Sequence, residues 1–149
     1  MSLRARAEHL HRLKQLEYLN LALNNITEVR RRSRPASQRV AHRCLCPQVT
    51  NLAGCEALSK LDLSANFIAS PAGLLSIASL AANTALRELF LTGNPCCADQ
   101  RYRPFVVASL PQLARLDGVD ITPSERIAAQ KVRDARVLLA GLTVVIDNA

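Results

Sequence analysis

A chain of 149 residues, 49% apolar and 21% charged, has the composition of one globular unit. Its best apolar run, Val137 to Ile146, is half the roughly 20 residues of a membrane-spanning helix, and the opening MSLRARAEHLHRLKQ lacks the apolar centre of a secretory leader. Five irregularly spaced cysteines do not make a disulfide framework and point to a reducing compartment, while 3% aromatics and no Trp disfavour a base-stacking platform.

The net charge of +7 is local. Residues Val29 to Gln48, VRRRSRPASQRVAHRCLCPQ, hold Arg30, Arg31, Arg32, Arg34, Arg39 and Arg43 with no acid. Without them the chain is at +1, so no basic domain face is predicted and nucleic acid is not an expected partner.

In chain order, four segments fit one pattern: LEYLNLALNNI (Leu16 to Ile26), LSKLDLSANFI (Leu58 to Ile68), LRELFLTGNPC (Leu86 to Cys96) and LPQLARLDGVDI (Leu110 to Ile121). The first three share L-x-x-L-x-L-x-x-N, the leucine-rich repeat signature. The predicted fold is an α/β solenoid with parallel strands on the concave side and helices or turns on the convex side. A repeat cap and a terminal helix close it at the C-terminus. Leu19 and Leu21, Leu61 and Leu63, and Leu89 and Leu91 are two apart and so share the inner face of a strand. Leu116 does the same in the fourth segment. Asn24, Asn66 and Asn94 stand at the strand exits, where an amide can satisfy backbone groups that a buried turn would orphan. Their predicted role is structural.

Spacing isolates one anomaly. Leu61 to Leu89 is 28 residues and Leu89 to Leu116 is 27, but Leu19 to Leu61 is 42. Omitting the 20 residues Val29 to Gln48 leaves 22 and an unbroken repeat, NNITE followed by VTNLAGCEALSKLDL. The segment therefore reads as an irregular, disordered insert. It is either a surface loop able to meet phosphates or acidic proteins, or an intron retained in frame, the preferred reading because Val29 can be encoded by GTG and Gln48 by CAG. Within it, RRRS has the form of a basophilic kinase site, and His42, Cys44 and Cys46 of half a metal site without a second ligand pair.

Further along, Ser70-Pro71 starts a convex helix with the stripe Leu74, Leu75, Ile77 and Leu80. Tyr102 to Ala108 forms another short helix. Thr122-Pro123-Ser124-Glu125 is a capping box opening a helix that ends near Gly141. The domains are thus 1–121 for the repeats, 122–141 for the capping helix and 142–149 for an unassigned tail.

Motifs for phosphate binding, zinc proteolysis and serine hydrolysis are missing from the sequence. His9, His11 and His42 lie away from Cys96 and Cys97, which read as structural. The chain is expected to be no enzyme and to hold no cofactor, metal or small-molecule substrate. What remains is a protein-binding wall of the strand residues between the leucines: Tyr18, Asn20, Ala22, Lys60, Asp62, Ser64, Glu88, Phe90, Thr92, Arg115 and Asp117. Tyr18 and Phe90 are the expected anchors, since aromatics in a polar surround often carry binding energy.

LEYLNLALNNI, KLDLSANFI, LRELFLTGNPC and YRPFVVASLPQLARLDGVDITPSERI resemble the leucine-rich repeat axonemal dynein assembly factors, the tilB family, from about Leu13 to Ala129. The resemblance implies a cytoplasmic, ciliary or flagellar factor for preassembly of dynein arms. It would act by binding other assembly factors and chaperone machinery, without catalytic residues and away from membranes. It also implies truncation at both ends, with Leu13, Leu16 and Leu19 at an open edge, marginal stability and a tendency to associate. Two other roles share this cap: a ribonucleoprotein scaffold and a phosphatase-regulating repeat protein.

Overall fold

The computed structural model describes residues 10–30, 48–50, 52–70 and 72–131. Gly141, the tail and the ring and thiols of His42, Cys44 and Cys46 lie outside these residues.

Leucine spacing makes the strands. β1 (Tyr18–Asn20), β4 (Lys60–Asp62), β5 (Glu88–Phe90) and β6 (Arg115–Leu116) pair in parallel, and β7 (Val119–Asp120) returns antiparallel to close the sheet. Register is fixed by the spine: Leu19 stands opposite Leu61, Leu61 opposite Leu89, and Leu89 opposite Leu116. The second spine row follows, as Leu21 N–H donates to the Asp62 carbonyl and Leu63 N–H to the Phe90 carbonyl. Leu61, Leu63, Leu89, Leu91 and Leu116 are wholly buried. Each strand is only two or three residues long, too short to stand without neighbours. Burial of this continuous aliphatic column is what holds it.

On the convex side, α1 (Ala72–Ile77) runs into a 3-10 turn, Ala78–Ala82, and α2 (Tyr102–Ser109) follows the third strand. The predicted stripe holds at Leu74, Ile77 and Leu80, whereas Leu75 points to solvent. Residues 123–131 form α3. Its start differs from a full capping box: Thr122 Oγ1 accepts from the Glu125 amide, but the Glu125 carboxylate turns to Arg103 rather than back to the cap. Arg126 ties α3 to the repeats by donating to the Pro111 and Leu113 carbonyls.

The ends of the 20-residue excess depart from the irregular insert expected from its composition. Glu28–Arg30 is a strand, β2, and Gln48–Thr50 is its parallel partner, β3. Val29 is buried in the core; its N–H donates to Ser76 Oγ, and its carbonyl accepts from Ser79 Oγ. The arginine run and RRRS between β2 and β3 lie outside the described residues.

Candidate functional site

Two of the three exit asparagines, Asn66 and Asn94, tie neighbouring coils together in a ladder. Asn66 Nδ2 donates to the Leu63 carbonyl of its own coil and the Leu21 carbonyl of the coil before, both at 2.9 Å, while its Oδ1 accepts from Ile26 N–H at 3.0 Å. Asn94 repeats this with Leu91, Leu63 and Ile68. Asn24 donates only within its own coil, to Leu21 and Ala22, and no described residue donates to its Oδ1. A second rung, Asn83, has no counterpart in the repeat signature. Buried at the entry side, it donates to the Leu52 and Cys55 carbonyls. In the preceding coil the equivalent bond is made by Cys55 Sγ to the Leu10 carbonyl, and this exchange of residue type is why the rung is invisible in sequence.

Residues between the leucines line the concave face, but many are already engaged with one another. Lys60 Nζ lies 5.3 Å from the Tyr18 ring centre and 5.2 Å from that of Phe90, so one ammonium is held between two aromatic faces. Lys60 also pairs with Glu88 at 3.5 Å, Glu88 with Arg115 at 3.1 Å, and Arg115 with Asp120 at 2.7 Å. Strand pairing places Tyr18, Lys60, Glu88 and Arg115 in one row, with charges alternating along it. Partly exposed pairs of this kind contribute little stability each, but together they hold the long side chains in place across the sheet. Asn20 Oδ1 and Asp62 Oδ1 accept from the amides two residues on, Ala22 and Ser64, fixing both side chains at the strand exits.

Asp117 stands apart from the other concave residues. Its Oδ1 accepts from the amides of Leu91 and Thr92 and the Thr92 hydroxyl, and its Oδ2 from the Tyr102 hydroxyl at 2.7 Å. Burial, first, and the Asp117 carboxylate hold the Tyr102 phenol far above its ordinary range. This carboxylate therefore works as the lock of the last coil, joined to α2, rather than as a free group on the wall. Cys96 is fully buried and its thiol is pushed up to about 12, by burial and then by neighbouring Cys97, which makes it a poor nucleophile. Cys97 Sγ donates to the Leu91 carbonyl.

Two exposed apolar side chains escaped the sequence reading. Leu23, 84% exposed, and Phe67, 57% exposed, lie on the turns that follow β1 and β4. Both positions lie outside the strand alternation, so the leucine pattern assigns them no face. Among the described residues, no three His, Cys, Asp or Glu side chains come together as a metal site, and no helix is long and apolar enough to cross a membrane.

Comparison with known proteins bears on this wall. The chain matches no protein-family model. It is 41% identical over 130 residues to a Trypanosoma brucei brucei protein named dynein axonemal assembly factor 11, covering 87% of this chain and 28% of that protein. It is 45% identical over 122 residues to the mouse protein of that name, covering 82% and 21%. With Drosophila melanogaster protein tilB it shares 51% over 125 residues, 84% and 26% of the two chains. It thus spans about a quarter of the length of these relatives. Among solved structures, a chain of the Drosophila melanogaster SNF/U2A' complex matches with a TM-score of 0.54 at 22% identity, over 80% of this chain and 70% of that one. A chain of the Chaetomium Mex67:Mtr2 structure matches with 0.51 at 28%, over 78% and 68%.

Proposed function

We propose, from the premise that this chain belongs by its repeats to the family of the dynein axonemal assembly factor 11 and tilB proteins, that it is a protein-binding module without catalysis, serving preassembly of axonemal dynein arms in the cytoplasm of cells that build motile cilia or flagella. Its partners on this reading are other assembly factors and the chaperones that handle dynein subunits. The solved neighbours share its fold and carry no partner over to it.

One observation supports the concave wall as the contact: two neighbouring rows of the sheet present aromatic rings that flank one shared lysine, with Tyr18 still 48% exposed. Rings held in this way lose little conformational entropy on binding, the property that makes aromatic anchors effective. Contact residues on this reading are Tyr18, Asn20, Lys60, Asp62, Glu88, Phe90, Thr92 and Arg115, with Asp117 supporting Thr92 from behind.

The test is capture of partners from cytoplasmic extract of ciliating cells by the chain and by its Phe90→Ala and Lys60→Glu variants, with mass spectrometry as the readout. Expected is recovery of dynein-arm subunits or assembly chaperones by the parent, weakened at least about tenfold, or about 1.4 kcal/mol, in either variant with circular dichroism unchanged. Undiminished capture by both folded variants would remove the concave wall from the reading. Capture free of any dynein-arm or chaperone component would remove the assembly role.

A further inference from the structure

The 20-residue excess and the β2–β3 pairing agree in a way that neither shows alone. Every pair in that ladder is 20 positions apart: Glu28 with Gln48, Val29 with Val49, Arg30 with Thr50. The offset equals the length of the acid-free, arginine-rich stretch Val29 to Gln48, whose omission leaves a first interval of 22 residues. Because the pairing is parallel, the chain enters and leaves the stretch at the same height and in the same direction. A valine stands at the middle of each strand. We propose that β2 and β3 are interchangeable copies of one convex strand, bracketing a removable cassette, so that excision of residues 29–48 seats Val49 in the core position now held by Val29.

Geometry supports the exchange. Val29 is anchored through its backbone, by Ser76 and Ser79 of the next coil, and by an aliphatic side chain in the core. A valine arriving from position 49 supplies the same amide, carbonyl and side chain. Moving it there is a lateral step of one strand spacing, about 4.8 Å. Excision would lower the net charge from +7 to +1 while leaving β1, β4, β5 and the contact of Lys60 with the Tyr18 and Phe90 rings untouched. The basic appendage and the binding wall are thereby separable parts of one chain.

Three variants of the full chain test this by thermal unfolding. One lacks residues 29–48. A second lacks 29–49, which is one residue too many and places Thr50 in the valine position. A third keeps both strands and replaces 31–47 by a Gly-Ser linker of equal length. The expected result is a Tm for the first at or above that of the parent, since a shorter connection loses less entropy on closing. The linker variant should match the parent, and the second variant should fall by more than about 5 °C. A first variant that unfolds or falls as far as the second, while the linker variant holds, would show β3 to be a required strand and overturn the exchange. A linker variant that falls would show that the stretch itself holds the coil, and would overturn the cassette.

Discussion

The first and third coils carry the same leucine and asparagine pattern and end in different states. Leu89 and Leu91 are wholly buried, while Leu19 and Leu21 are only partly covered. Asn94 is 4% exposed and joins two coils; Asn24 is half-buried and bonds only to its own. No described element pairs with the outer edge of β1, and Leu13 beside it is 49% exposed. The pattern directs a side chain inward, but what it meets there depends on having a coil on each side. In a solenoid, stability is a sum over neighbours, and a coil with one neighbour makes about half the contacts.

The largest effects should separate the two coils most clearly. Leu89→Ala should cost roughly 2–5 kcal/mol in denaturant unfolding, because the cavity it leaves is enclosed on both sides. Leu19→Ala should cost less than half of that, since its site is already open to water. Equal losses at both positions would mean that the first coil is covered on its outer face. The same logic applies to the ladder. Asn94→Ala strands the buried Ile68 amide and removes one of the donors to the Leu63 and Leu91 carbonyls, an expected loss of about 1–3 kcal/mol. Asn24→Ala strands no amide, and the Leu21 carbonyl keeps its Asn66 donor, so its loss should stay below about 1 kcal/mol.

A smaller effect runs the other way. The residue before each ladder asparagine has a left-handed backbone: Leu23 at φ 58°, Ala65 at 51° and Gly93 at 80°. Only the third coil has the residue suited to it. A Cβ at Gly93 would find room, 3.4 Å from the Ala65 backbone, but the φ of 80° strains any side chain, so Gly93→Ala should destabilise by about 1–2 kcal/mol. Leu23→Gly relieves the same strain where the side chain is almost free of contacts, and should be neutral or stabilising by up to about 1 kcal/mol. A clear loss on Leu23→Gly would show that the exposed leucine is covered.

What the sequence made legible follows from how far apart the determining residues lie. The strand leucines, the exit asparagines and the α2 segment rest on spacing within one coil, and they appear where spacing puts them. The β2–β3 pair has no such signal, since three-residue strands on the convex side show no alternation and pair across a gap in the pattern. Asn83 hides because its rung is a cysteine one coil earlier. On the concave wall, residue identities were readable but their engagements were not. The bonding of Asp117 to Tyr102, and the holding of Lys60 between two rings, join residues 15 to 42 positions apart. Glu125 shows the same limit, since a reciprocal cap was legible locally and Arg103 of another helix captured the carboxylate.

That last contact gives the smallest predicted effect and sharpens the contrast between the two ends of the molecule. At the C-terminal end Arg103 Nη2 donates to Glu125 Oε2 at 3.2 Å, with both side chains under a third exposed. The hydrogen bond from Arg103, above all, holds the Glu125 carboxyl below its ordinary range. A carboxyl depressed in the folded state stabilises above its unfolded pKa, about 4.3, and that contribution is lost as pH falls through the lower folded value. At the N-terminal end Lys14 and Glu56 also pair, at 3.1 Å, but with side chains 70% and 67% exposed, where solvent screens the interaction. Unfolding followed from pH 6 to pH 3 should therefore show a decline that Glu125→Gln flattens. If Glu125→Gln left the decline unchanged, the Arg103 pair would be as screened by solvent as the Lys14–Glu56 pair, and the asymmetry between the two ends would not extend to their electrostatics.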